Sequence, residues 1–172
     1  MLSQWGPSTY GDPCRECGYD WQQSTEDSLA SIGNIRQAFR LLIRPSDAGR
    51  FGSGLTWSAK AYVFHVADNF RIWAERLEAP ASGGPARIAT YGDNALAEAR
   101  GYEAMRLELA WVALDWSVCE WLDAVRRAEH AEVRLEHPVR GTLTVDDVVA
   151  TNCHDAVHHV WDVKRLMTGP LT

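Results

Sequence analysis

The stretch TVDDVVATNCHDAVHHVWDVKRLM, residues 144–167, reads as one long amphipathic helix. Thr144 and Asp147 resemble a capping box, with Asp in place of the usual Glu. The Thr hydroxyl can accept the N–H three residues on, while the acid reaches back to the Thr N–H. Val149, Cys153, Ala156, Val160, Val163 and Met167 recur at helical spacing and predict a core stripe. The opposite stripe holds Asp147, Thr151, His154, His158, Trp161 and Arg165. Gly169-Pro170 stops the helix, since proline cannot continue it.

Moving outward, residues 132–143 contain Pro138 and Gly141 and alternate enough to suggest a short hairpin or loop. Before them, a third helix is expected over residues 93–130, capped by Asp93 or Asn94 and carrying Trp111, Trp116 and Trp121. Gly101 weakens it at one point, by about 1 kcal/mol relative to Ala. Pro80, Gly83, Gly84 and Pro85 break the chain ahead of it. A second helix is expected over residues 58–78, capped by Ser58, with Val63, Val66, Ala67, Phe70, Ala74 and Leu77 on one face. A first helix over residues 26–43 places Leu29, Ile32, Ile35, Phe39 and Leu42 together, and Arg44-Pro45 ends it. Gly49, Gly52 and Gly54 mark the loop that follows. Residues 1–25 are rich in Gly, Pro, Ser and Trp and read as an extended arm carrying Cys14 and Cys17, ahead of a bundle over residues 26–172. Four helices with few strand signals predict an all-α, up-and-down four-helix bundle.

The composition fits one soluble domain: 172 residues, 46% hydrophobic, 23% charged and a net charge of −6. No Lys/Arg-rich run offers a nucleic-acid footprint. No apolar run reaches the roughly 20 residues that span a bilayer. Residues 1–12 show neither the basic start nor the apolar run of a secretory signal, so a cytoplasmic location is expected. The four cysteines, Cys14, Cys17, Cys119 and Cys153, are then expected as free thiols or metal ligands rather than disulfides.

His154 and His158 lie four residues apart and project from one side of a helix, a spacing that lets two imidazoles chelate one ion. A third ligand must come from another element, and His65, mid-way along the second helix, is the best candidate. His130 lies at a helix end, His137 precedes Pro138, and His159 points about 100° away from His158. Spacing alone leaves two readings open, a polar cavity or bulk water facing the stripe. Tyr62 and Asn69 flank His65 by one turn and are candidates to orient its ring, with packing or surface roles equally open. Trp161, one turn from His158, is a candidate to line the pocket, with core packing the alternative; Thr151 and Arg165 are placed to hold an anionic group, and His159 is a further pocket candidate. Asp155 and Asp162 are expected to be solvated, the alternative being that one accepts the N–H of a ligand His.

Cys14-Arg-Glu-Cys17-Gly18 has the shape of a zinc knuckle, in which Gly permits a tight turn that aims both thiolates at one metal. No second Cys-x-x-Cys completes four ligands. Half of a second metal site, a redox dithiol, and two thiols that merely fix the arm all stay open.

Three segments resemble the DinB-like (YfiT-like) metalloenzymes of actinobacterial type: Pro13-Cys14-Arg15-Glu16-Cys17-Gly18-Tyr19-Asp20; Trp57-Ser58 with Tyr62-Val63-Phe64-His65-Val66-Ala67-Asp68; and His154-Asp155-Ala156-Val157-His158-His159-Val160-Trp161-Asp162-Val163. The family's Trp-Asp-Gln-Asp element before the third helix is replaced here by Tyr91-Gly92-Asp93-Asn94. The resemblance implies a four-helix bundle of DinB type with one divalent metal, Zn, Ni or Fe, on His65, His154 and His158. Three protein ligands leave coordination positions open, as in a catalytic site. The resemblance further implies a mycothiol-dependent S-transferase or isomerase acting on a small electrophile. The alternatives are a metal-assisted hydrolase or cyclase in a specialised pathway, and a non-catalytic metal- or ligand-binding stress protein. A small-molecule substrate is expected, with no nucleic-acid or membrane partner. A homodimer through the Trp-rich third helix is also expected.

Overall fold

The computed structural model describes residues 6–169, so residues 1–5 of the arm and Pro170 lie outside the described residues. A short helix α1 (Pro7–Tyr10) opens it, followed by α2 (Thr25–Leu42), α3 (Ala59–Ala81), α4 (Asp93–Arg100) and α5 (Leu107–His130). A hairpin of β1 (Arg134–His137) and β2 (Gly141–Thr144) leads into α6 (Val145–Thr168). The fold is an all-α four-helix bundle of α2, α3, α5 and α6, with one small hairpin before the last helix. Among the described residues, no helix is long and apolar enough to cross a membrane.

The helix starts follow local chemistry. Ser24 accepts the Asp27 N–H at α2, and Ser58 accepts the Ala61 N–H at α3. At α6 both halves of the Thr144/Asp147 capping box form: Asp147 N donates to the Thr144 hydroxyl at 3.2 Å, and Thr144 N donates to the Asp147 carboxylate at 2.8 Å. Each cap satisfies N–H groups that have no partner within the helix. The hairpin pairs Leu135 with Leu143, both buried.

The packing order differs from an up-and-down bundle. α2 packs mainly on α6 and also on α5, while α3 packs mainly on α5 and also on α6. Helices consecutive in sequence, α2 and α3, are therefore not the ones that pair. The long connection across residues 43–58 permits this, since only short loops force neighbouring helices together.

The single helix expected over 93–130 is two. Gly101 takes a left-handed conformation (φ 67°, ψ 44°) that ends α4, and a 3-10 turn at Tyr102–Ala104 precedes α5. The break turns Tyr102 into the core, where its hydroxyl donates to Asp68 Oδ2 at 2.5 Å. Arg71 and Arg100 also pair with Asp68, so this buried carboxylate ties α3 to the α4–α5 junction. Of the three tryptophans on α5, Trp121 is buried and donates to Asn152 Oδ1 of α6 at 2.9 Å, while Trp116 is exposed.

Candidate metal centres

α6 presents two ligand pairs, not one. His154 and His158 form the first, and Asp155 and His159 form the second, one residue on. Both pairs have the four-residue spacing that stacks side chains one turn apart. They lie on adjoining strips of the helix surface, and different elements cover each strip.

The strip of Asp155 and His159 meets His65 of α3. One donor atom from each residue lies within 4.8 Å of the others. His65 Nε2 is 3.7 Å from Asp155 Oδ1, and His159 Nε2 is 3.6 Å from the same oxygen. The His65 and His159 rings stand edge to face with centroids 4.7 Å apart. Asp162 Oδ2 sits 3.0 Å from His159 Nδ1 and fixes that ring from behind. Asn69 donates to Asp155 Oδ2 at 2.6 Å, and the Tyr91 hydroxyl donates to Asn69 Oδ1 at 3.1 Å. Trp57 lies against His65 (4.7 Å between centroids) and Tyr62 against His159 (5.1 Å).

Burial opposes the charge on Asp155, yet His159 and His65 hold its pKa well below the carboxylate range. Burial also opposes the charge on His159, but Asp155 and Asp162 outweigh it and raise its pKa to about 9. Two imidazoles and a carboxylate with supporting hydrogen bonds suit a divalent first-row ion, which on binding would displace the proton that Asp155 and Asp162 hold on His159. A cavity of about 270 Å³ opens beside the group, walled by His65, Asn69, Arg76, Tyr91, Asp93 and Arg140 among others. Arg76 lies over the Trp73 and Tyr91 rings, at 4.6 and 5.1 Å from their centroids.

The strip of His154 and His158 meets the N-terminal arm instead. Cys14, Cys17, His154 and His158 each offer a donor atom within 4.8 Å of the others. Cys14 Sγ is 3.8 Å from His158 Nδ1, and Glu16 Oε2 is 3.3 Å from His158 Nε2. His154 Nε2 is buried with no hydrogen-bond partner. Burial lowers the pKa of His154 to about 4, and the neighbouring His158 adds to the effect. Burial also lowers that of His158, so both rings are neutral and able to ligate at pH 7. Burial pushes the Cys17 thiol up, opposite to the depressed pKa of a redox-active dithiol.

The expected trio is thus divided. The structure places His65 with His159 and Asp155, and places His154 and His158 with the cysteine pair. Asp155 is a central member of its group rather than a solvated acid, and Asp162 is buried. The remaining candidates scatter. Asn69 donates to Asp155 and Tyr62 lies beside the His159 ring, rather than orienting the His65 ring as expected. Thr151 lines the cavity, though its hydroxyl donates to Asp147 O at 2.7 Å. Trp161 packs on His158, with centroids 5.4 Å apart, and so borders the cysteine group. Arg165 lies over Trp161 and lines a depression with Gly52 and Leu55, away from the cavity. Trp57, Tyr91 and Asp155 were not singled out as site residues. The one usable signal was that Asp155 and His159 share the spacing of His154 and His158.

No protein-family model and no curated protein matches this chain. Among solved structures it is similar to YfiT from Bacillus subtilis, described as a probable metal-dependent hydrolase with an unusual four-helix bundle topology. The TM-score is 0.68, the identity 14%, and the match covers 87% of this chain and 90% of that one. At that identity the likeness establishes a YfiT-like fold.

Proposed function

We propose that this chain is a metal-dependent hydrolase of small, anionic molecules, with its ion held by His65, Asp155 and His159. The observation that carries the reading is the convergence of these three donors beside an open polar cavity. The description of YfiT as a probable metal-dependent hydrolase supports it. A divalent ion bound there supplies Lewis-acid activation of a water or a substrate oxygen.

The chain's own residues do the rest. Asn69 and Tyr91 hold the Asp155 carboxylate in place, and Asp162 orients the His159 ring. Arg76 and Arg140 put positive charge on the cavity wall, which favours a substrate carrying a carboxylate or phosphate. Arg76 also lies over the Trp73 and Tyr91 rings. Asp93 is the carboxylate in that wall outside the ligand group, and burial raises its pKa, which suits it to carry a proton. The modest volume restricts the substrate to a small molecule.

The same centre could instead bind the thiolate of mycothiol beside an electrophile, the transferase or isomerase chemistry implied by the sequence resemblance. The experiment that separates the two incubates the metal-loaded protein with small anionic amides and esters in one arm. The other arm uses mycothiol with an electrophile and follows thiol consumption. Metal-dependent hydrolysis that disappears in His159→Ala supports our reading. Thiol consumption without hydrolysis replaces it with the transferase. Ligand binding with no turnover of either kind leaves a non-catalytic binding protein. Full metal occupancy in a His65→Ala/His159→Ala variant also lacking Cys14 and Cys17 overturns the metal assignment.

A further inference from the structure

We propose that Cys14, Cys17, His154 and His158 form a second, structural metal site that takes one zinc ion and pins the N-terminal arm to α6. The four donor atoms come from two segments far apart in sequence, and each lies within 4.8 Å of the rest. Cys14 and His154 are buried, and Cys17 and His158 are half-buried.

Local backbone geometry prepares the cysteine half. Gly18 N donates to Cys14 O at 2.9 Å, and Cys14 N donates to Tyr19 O at 2.8 Å. Gly18 closes this turn at φ 75°, a conformation that L side chains seldom adopt. The closed turn holds both thiols on one side. The histidine half is a preformed chelate on a stable helix. Its Nε2 of His154 is buried and without a hydrogen-bond partner, a state that costs free energy and that a ligand bond would relieve. Glu16 contacts the Nε2 of His158, leaving Nδ1, the nitrogen 3.8 Å from Cys14 Sγ, aimed at the site. A carboxylate behind a ligand imidazole is the usual way in which its ring is oriented.

Chemistry selects zinc and a structural role. Two thiolates and two neutral imidazoles carry a charge that neutralises a dication, so the assembly can be buried without a residual charge. Four protein ligands complete a tetrahedron and leave no position for substrate, in contrast to the three-ligand group beside the cavity. Tyr10, Tyr19 and Trp21 enclose His154, with ring centroids 4.6, 5.4 and 4.5 Å away. On binding, two bonds form from sulfur to zinc, and the two thiol protons leave to solvent.

The site shares its helix with the first one. His154 and His158 sit one residue before Asp155 and His159 on the same helix. The packing of α6 on α2 and α3 sets its rotation about its axis, and the first pair ties the arm to that orientation. That rotation aims the second pair at His65. The two groups therefore depend on one and the same orientation of α6.

The test uses the full chain. Purified protein should contain about two metal equivalents, and Cys14→Ser/Cys17→Ser about one. Cobalt replacement should give an intense near-ultraviolet thiolate-to-cobalt band in the wild type and in His65→Ala/His159→Ala, and none in the cysteine variant. The second variant separates this proposal from the function proposed above: a band with one equivalent in the wild type keeps the zinc site and removes the other. Should the cysteine variant fail to fold, alkylation of the wild type decides. Exposed Cys119 should react at once, whereas Cys14 and Cys17 should react only after a chelator is added. Cobalt protein without a thiolate band, or cysteines 14 and 17 equally reactive with and without chelator, overturns the proposal.

Discussion

The Asp155 carboxylate shows how much one side chain depends on its neighbours. It faces His65 and His159 with one oxygen and accepts from Asn69 with the other. Removing Asn69 leaves the ligand group intact but frees the carboxylate to rotate. Asn69→Ala should weaken metal binding at this centre by roughly 10–100-fold, measured by competition with a chromogenic chelator. An unchanged affinity would show that Asn69 does not position Asp155. Asp68 is the structural counterpart, a buried carboxylate held by Tyr102, Arg71 and Arg100. Tyr102→Phe removes one charge-assisted hydrogen bond with little change in shape. It should cost about 1–3 kcal/mol in chemical denaturation, with metal content unaltered.

Elements meet at the break between α4 and α5. Gly101 adopts its left-handed conformation in open space, so a methyl group there meets no neighbour and any penalty is conformational. Gly101→Ala should destabilise the protein by about 1–2 kcal/mol. An unchanged denaturation midpoint would mean that the break tolerates any residue. The break also sets the cavity wall, because α4 begins at Asp93, beside Tyr91. α5 then crosses the core, where Trp121 fills the space between α3 and α6, its ring tilted against Phe70 and its N–H donating to Asn152. Trp121→Ala should cost about 3–5 kcal/mol, the range expected for emptying a large buried volume.

The whole molecule depends on how the arm and the bundle hold one another. Chelation should release the arm first. Limited proteolysis should then cut near residues 10–20 before the bundle melts, and zinc should restore resistance; cutting that chelator leaves unchanged would sever the link between metal and arm. A second expectation concerns assembly. Leu41 on α2 and Val112 and Trp116 on α5 are 78%, 65% and 69% exposed, beside a groove bearing Arg36, Arg40, Asp115 and Glu120. An apolar strip flanked by both signs of charge can meet its own copy across a two-fold axis. Light scattering at micromolar concentration should give a dimer and Trp116→Glu a monomer, whereas a wild-type monomer removes this interface.

What the sequence by itself determined is local. The bundle helices, the Ser58 and Thr144 caps, the hairpin at Pro138 and Gly141, and the tight turn at Gly18 follow from residues within a turn or two of each other, whereas the Ser24 cap emerged only in the structure. So does the pairing of side chains capable of ligation four residues apart on the last helix. The exception at Gly101 is instructive. There the left-handed Gly101 ends the helix and Tyr102 finds a buried partner, Asp68, on another helix, a contact that no local pattern reveals. The identity of each metal group was likewise a tertiary decision. Successive residues on a helix point about 100° apart, so His154 with His158 and Asp155 with His159 are equivalent as patterns. Only the rotation of α6 in the bundle, and the path of the arm across it, decided that the first pair meets Cys14 and Cys17 while the second meets His65.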